Sequence, residues 1–342
     1  MKHKQSDCTI ALLYHPVEDD IERTDIQAKQ AHVDNQTDEI VTFMSELFKK
    51  KKFNVQIIKV TPSDLTELKH IDADFVFNLV DSKAMEIQIA KILDRMQIPY
   101  SGTKEMGLRI SNNKVTSKRL FIKHKLPTPG FTVIRPSDRI ARSMIPGKFP
   151  IIVKPAYEHC SIGITNKSIA RTYRQFVSIV KRLRTEHTQA LLAEEFIEGK
   201  ELQVTILETP EQTMALPIAE ITFKGRAKNK WNIYGYDEKW SKHLPIYKSC
   251  NFISPPKNLP DDIDKNIKRD AIRAFYALNM RDYGRFDLRY NPNSQKWFFL
   301  EGNANAGFDP NPRDAMTVSI YAQGMVLDDF ILQIVRNSIS LP

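Results

Sequence analysis

Short apolar runs alternate with longer stretches of helical period along this chain. "CTIALLY", "FNVQIIKV" and "DFVFNL" have strand length, and helical patterns around residues 35 to 50 and 84 to 96 lie between or after them. This alternation predicts a small α/β unit with a parallel sheet. Pro and Gly in "QIPYSGT" punctuate the chain near residue 100, and "SNNKVTSKRLFIKHKLPTPGF" follows as a Lys-rich helix stopped by two prolines. "FPIIVKP", a helix around 171 to 186, "ALLAEEF" and "ELQVTILE" read as a second α/β unit. From Pro217 onward the pattern predicts a strand, a long polar loop through residue 251, a helix over 261 to 279, a hairpin, and a C-terminal helix from about 314.

The hairpin signal lies in "YGRFDLRYNPNSQKWFFLEGN", where two strand-like runs flank a cluster of turn formers. In the first run Phe286, Leu288 and Tyr290 are apolar, while Arg285, Asp287 and Arg289 are charged, so the two kinds point to opposite faces. Phe298 and Leu300 are expected to continue the apolar face on the second run. If odd positions pair with odd, Asp287 and Glu301 share a face on neighbouring strands, and Asn303 extends the row. Two carboxylates and one amide oxygen suit a hard cation, Mg²⁺ or Mn²⁺, that carries substrate phosphates. A solvated sheet face is the alternative for the hairpin taken alone.

The 342 residues suggest two or three domains, and a 42% hydrophobic content gives each a core. "MKHKQSDCTIALLYHP" is polar up to Asp7 and then carries only a short apolar run, so neither a signal segment nor a membrane span is expected, and a cytoplasmic location is. Cys8, Cys160 and Cys250 are far apart without CxxC spacing, which argues against a disulfide framework or a zinc site. The net charge of +9 is spread along the chain rather than gathered with aromatics, which argues against nucleic acid as a partner. The one dense run, "FKKKKF" from Phe48 to Phe53, reads as the solvated end of a helix.

Three stretches in the middle carry chemistry. "VKPAYEHCSIGI" ends a buried strand in Lys154 and enters a loop whose Ser161 and Gly163 let backbone N–H groups approach an anion. "NNKVTSK" supplies Lys114 from a second element, so two lysines can flank one polyphosphate. "LLAEEFIEGKE" sets Glu194, Glu195 and Glu201 around a Gly-bearing bend, where the backbone of 195 to 197 can present N–H and C=O to an adenine while a carboxylate takes ribose hydroxyls; taken alone, the stretch reads as an ordinary charged turn.

Taken in order, "FVFNLVDS", "MQIPYSGT", "NNKVTSKRLFIKHKLPTP", "FPIIVKPAYEHCSIGI", "LLAEEFIEGKELQVTIL", "YGYDEKW", "RDYGRFDLRY" and "FFLEGNANAGFD" resemble the ATP-grasp superfamily, and within it the D-alanine:D-alanine ligases and their close relatives. The resemblance covers roughly residues 72 to 335. It implies an α/β and α+β chain with an ATP-grasp fold: an N-terminal parallel-sheet domain (1–101), a central subdomain (102–210), and a C-terminal subdomain (211–342) with a lid loop (224–251) and the metal site.

By the same resemblance, Lys114 and Lys154 contact ATP phosphates with Ser161 in the phosphate loop. Glu194 and the backbone of Glu195, Phe196 and Ile197 form the adenine hinge, and Glu201 holds the ribose. Lys239 closes over the γ-phosphate from the lid. Asp287, Glu301 and Asn303 are the metal ligands, and Arg285 with the N–H of Gly307 stabilises an oxyanion. The implied activity is ATP-dependent joining of a carboxylate and an amine through an acyl phosphate, on amino acids or a small peptide. An ATP-binding protein without turnover is the alternative, and a homodimer is left open.

The chain departs from the family pattern where the amino-acid substrates sit. "LLYHPVEDDIERTD" lacks the usual glycines, with Glu18 as a weak candidate for the family's orienting glutamate, and "NLVDSKAME" replaces a His-Gly loop. Cys160 and Ser161 stand for a serine pair, Trp240 for a tyrosine, and Ala306-Gly307 followed by Pro312 for a Pro-Gly and a downstream serine.

Overall fold

The computed structural model describes residues 8–15, 37–80, 82, 85–225, 230–307, 309–310 and 314–339. Glu18 and Pro312 lie outside them. β1 (Thr9–Tyr14), α1 (Thr37–Lys50), β2 (Asn54–Lys59) and β3 (Phe75–Asn78) open the chain, and the strands form a parallel sheet in the order β2-β1-β3. The centre of β1 and all of β3 are buried, which is why they read as unbroken apolar runs. Phe48 and Phe53 enter the core while Lys49 and Lys50 stay in solvent at the end of α1, as expected of the Lys-rich run.

α2 (Glu86–Met96), α3 (Glu105–Ser111) and α4 (Lys114–Lys123) lead out of this unit. Asn113 caps α4 by accepting from the Thr116 N–H, which fixes Lys114 as its first helical residue. β4 (Phe131–Ile134), β5 (Ile151–Pro155), β6 (Ile169–Ala170) and β7 (Leu191–Glu195) form an antiparallel sheet in the order β4-β7-β5-β6. α5 (Tyr173–Glu186) covers it with Phe176, Val180 and Leu183.

β8 (Lys200–Glu208), grouped by pattern with the second unit, belongs to a different sheet. With β9 (Thr213–Ala215) on its flank, it pairs with β10 (Ala219–Phe223) and with β12 of the hairpin. Gly199 makes the swing possible, because it takes φ +133° and a side chain there would collide with the Tyr290 carbonyl. The polar loop is also more regular than its composition suggests: it contains α6 (Tyr236–Trp240) and α7 (Pro245–Ser249) and runs into β11 (Cys250–Ile253), which pairs with β10.

α8 (Asp261–Ala277) packs Ile267, Ala274 and Phe275 behind the third sheet, and β12 (Tyr283–Asn291) and β13 (Lys296–Ala304) complete it in the order β11-β10-β8-β12-β13. α9 (Ala315–Ala322) and α10 (Leu327–Arg336) share a core with α1 and β1. Among the described residues no single helix is long and apolar enough to cross a membrane.

Candidate active site

The register of β12 and β13 decides which side chains meet. Near the turn, Asn291 pairs with Lys296 and Leu288 with Phe299, so odd positions face even ones. A bulge at Leu300 then shifts the ladder, and Asp287 pairs with Glu301 and Arg285 with Asn303. The expected apolar face is corrected by the turn register, with the bulge setting Leu300 aside. Phe299, rather than Phe298 and Leu300, is the fully buried residue, and Leu300 lines a cleft. Gly302 turns toward the core, where a Cβ would stand 2.7 Å from Leu278 Cδ1 and Phe286 Cε1.

Above this face lies a cleft with about 1220 Å³ of empty space, part of it open to solvent. Thirteen of the fourteen residues singled out from the sequence line it, and the remaining one, Lys114, is ion-paired with Glu301 at 2.9 Å. Lys114 also donates to the Glu158 carbonyl. Burial works against a charge on Glu301, yet Lys114 and Lys154 outweigh it and hold the carboxyl down at about 2. Burial also acts on Asp287, and although the Arg285 Nε donates to it at 3.0 Å, the facing charge of Glu301 helps push its carboxyl up.

Lys154 leaves β5 toward the cleft and pairs with Glu194 Oε2 at 3.0 Å. Glu194 Oε1 lies 3.0 Å from Lys118, a buried lysine on α4 that sequence reasoning did not single out. Both oxygens of Glu194 are thus committed to lysines. In the bend that follows, the N–H groups of Glu195 and Phe196 donate to the carbonyls of Gly130 and Pro150. Arg289, another residue missed from sequence, organises the same corner. Its Nε donates to the Ile197 carbonyl at 2.9 Å and one of its terminal nitrogens to Glu201 Oε2 at 3.0 Å, while its guanidinium lies 5.0 Å from the Phe196 ring centre. The alternation that marked Arg285 and Asp287 carries Arg289 as well, so the signal was present.

The loop after β5 and the segment around α6 are joined. Ser161 Oγ donates to the Tyr234 carbonyl at 3.0 Å, the indole of Trp240 donates to the Cys160 carbonyl at 3.1 Å, and the Tyr236 N–H donates to the Ile164 carbonyl at 3.1 Å. Cys160 and Ser161 both take left-handed backbone, with φ of +54° and +62°. Gly163 packs against Pro155, where a Cβ would stand 2.8 Å from the ring. Lys239 lines the cleft with its ammonium 5.1 Å from the Trp240 ring centre.

At the cleft's other end the first unit contributes Glu86, which accepts from the Asn112 side chain, and neither residue stood out from sequence. Asn305 is a clamp as well as a cleft residue, since its Oδ1 accepts from the Thr103 N–H at 2.6 Å. A Cβ on Gly307 would meet nothing within 4 Å, so its backbone is open to approach.

A family model described as D-ala D-ala ligase C-terminus matches residues 120–336. The chain belongs to the D-alanine-D-alanine ligase family. It is an ATP-dependent ligase that forms an amide bond. The D-alanine-D-alanine ligase of Methylibium petroleiphilum is 30% identical over 250 residues, covering 72% of this chain and 73% of the relative. That of Xylella fastidiosa is 26% identical over 303 residues, covering 86% and 91%. Among solved structures, the Bacillus anthracis D-alanine-D-alanine ligase complexed with ATP superposes with a TM-score of 0.71 at 17% identity, covering 97% of each chain. The VanG D-Ala:D-Ser ligase of Enterococcus faecalis gives 0.69 at 16% identity, covering 97% of this chain and 99% of that one. The ligase family uses ATP and a divalent metal.

This ligase's own residues fit both groups. Glu301, held charged by Lys114 and Lys154, faces Asp287 and raises its cost of ionisation, which a divalent cation bound here would relieve. Asn303 Nδ2 beside them, buried without a hydrogen-bond partner among the described residues, is a donor that suits a phosphate oxygen, while its Oδ1 is the atom that suits a cation.

Proposed function

We propose that this ligase joins two amino acids, or an amino acid and a small peptide, by activating a carboxylate with ATP at the cleft between the second and third sheets. The observation that carries this reading is the shared face of Asp287 and Glu301, with Lys114 on Glu301 and Lys154 in the same cleft. A substrate carboxylate takes the γ-phosphoryl group and ADP leaves; the amine of the second substrate then adds to the acyl phosphate and phosphate departs, leaving an amide.

The residues divide the work. Asp287, Glu301 and Asn303 would hold Mg²⁺ or Mn²⁺, which supplies charge neutralisation at the phosphates. Lys114 and Lys154 offset phosphate charge from the floor of the cleft and Lys239 from the lid side, with Ser161 holding the phosphate loop to the lid. With the N–H groups of Glu195 and Phe196 already engaged, Ile197 offers the hinge donor to adenine. Glu201, steadied by Arg289, takes the ribose hydroxyls. Arg285 and the Gly307 N–H stabilise the oxyanion of amine addition, a contribution of about 3 kcal/mol per donor in comparable sites.

Sheet membership supports three working units, residues 1–101, 102–199 and 200–342, with the second boundary moved from 210 to the Gly199 bend because β8 pairs with β12. We place the enzyme in the cytoplasm, where ATP is available, and leave assembly as a homodimer to light scattering. Phosphate release from ATP across a panel of D- and L-amino acids and dipeptides tests the reading. ATP turnover that no member of the panel stimulates would refute it.

A further inference from the structure

Two lysines share one carboxylate beneath the cleft. Lys118 Nζ lies 3.0 Å from Glu194 Oε1 and Lys154 Nζ lies 3.0 Å from Glu194 Oε2. The Lys118 side chain is 0% exposed, whereas Lys154 lines the cleft. Lys118 Nζ also donates to Thr128 Oγ1 at 2.7 Å, and that hydroxyl donates to the Phe299 carbonyl at 2.8 Å, two residues before Glu301. One buried side chain therefore ties α4 to β7 and, through Thr128, to the strand that carries Glu301.

Charge counting gives this arrangement a consequence. Three ammonium groups, Lys114, Lys118 and Lys154, against two carboxylates, Glu194 and Glu301, leave a surplus of one positive charge, and of the two lysines on Glu194 only Lys154 lines the cleft. An isolated Lys154–Glu194 pair would be neutral, with Glu194 holding the Lys154 ammonium for itself.

We propose that Lys118 is a positioning residue for the nucleotide site: by sharing Glu194 it leaves Lys154 a net positive charge to offer a polyphosphate, and through Thr128 it braces β13 behind Glu301. This rests on the proposed ATP site. The charged groups facing Lys118 are Glu194 on β7, Lys154 on β5 and Glu301 on β13. Burial lowers the Lys118 ammonium to about 8 against the pull of Glu194, while at Lys154 Glu194, Glu301 and Asp287 together outweigh burial and raise it. Loss of the Lys118 proton in mild alkali would remove the surplus charge.

The test measures binding rather than turnover. ATP and adenosine compete for a fluorescent nucleotide on wild type, Lys118→Met and Lys118→Arg at pH 7.5 and 9, with melting temperatures recorded alongside. Lys118→Met is expected to weaken ATP by about tenfold or more while adenosine changes by less than about twofold, because only the polyphosphate reads the charge. Wild-type affinity for ATP is expected to fall from pH 7.5 to 9 while that of Lys118→Arg stays level, since a guanidinium does not deprotonate there. Equal weakening of ATP and adenosine, unchanged ATP affinity in Lys118→Met, or the same pH dependence in wild type and Lys118→Arg would each overturn the proposal. If Lys118→Met does not fold, Lys118→Gln takes its place in the comparison of ATP with adenosine. A wild type that binds no ATP overturns the nucleotide-site reading, and this proposal with it.

Discussion

Asp287 and Glu301 stand opposite each other across two strands whose turn pairs odd positions with even, and only the bulge at Leu300 brings them level. In an unbulged ladder Leu300 would face Asp287, and Glu301 would sit opposite Phe286 in the core. The metal assignment depends on that single extra residue. Glu301→Gln keeps the shape but removes one of two carboxylates and leaves Lys114 beside a neutral amide. We expect phosphate release to fall by about 100-fold or more, with a higher Mg²⁺ requirement. Turnover like that of wild type would remove the metal assignment.

Gly302 tests the same bulge from its other face. With a Cβ at 2.7 Å from both Leu278 Cδ1 and Phe286 Cε1, Gly302→Ala overfills the core. A loss of about 1–3 kcal/mol in urea denaturation is expected. An unchanged midpoint would mean that residue 302 does not face inward.

Asp282 joins the third unit to the start of the second by accepting from the Gly102 N–H at 2.6 Å. Burial, opposed by Arg281 and the Gly102 N–H, pushes its carboxyl from 3.8 to about 6. Native protein therefore keeps a proton that unfolded chain loses between those values, so stability falls as pH rises through this window and stays lower above it. Asn cannot ionise and its Oδ1 can still accept from Gly102. Relative to wild type, Asp282→Asn should gain up to ~3 kcal/mol between pH 4 and pH 7.5. A pH-independent difference between the two proteins would count against the shift.

Lid behaviour is checked by proteolysis. The segment from 224 to 251 is held to the phosphate loop by the bonds of Ser161 and Trp240, so nucleotide bound beneath them should brace both. Cleavage in this segment is expected to slow with Mg²⁺ and a non-hydrolysable ATP analogue. Equal cutting with and without the analogue would speak against a lid.

Cys160 lines the cleft, and its carbonyl, rather than its thiol, receives the Trp240 indole N–H. MgATP should therefore shield the thiol from alkylation, and Cys160→Ser should keep activity because the backbone bond survives. If peroxide inhibits wild type but not Cys160→Ser, the thiol is also a redox switch. Alkylation at the same rate with and without saturating MgATP would displace this loop from the nucleotide site.

Local pattern was enough for the parallel sheet of the first unit, the hairpin, and the charged alternation of Arg285, Asp287 and Arg289, because strand period and turn chemistry act over a few residues. The ordered motifs were enough for the family and for the residues that line the cleft. Other features depended on partners far along the chain. Lys118 reads as one more lysine on a Lys-rich helix, and its burial follows from Glu194 and Thr128 converging on it. β8 reads as the continuation of β7, and its transfer to another sheet follows from Gly199 passing under Tyr290. The bulge at Leu300 leaves no mark in the alternation, because Phe298, Phe299 and Leu300 are all apolar and any of them can fill a core position. Phe299 is chosen by its packing against Phe121 and Phe286, and the bulge that follows gives the cleft Glu301.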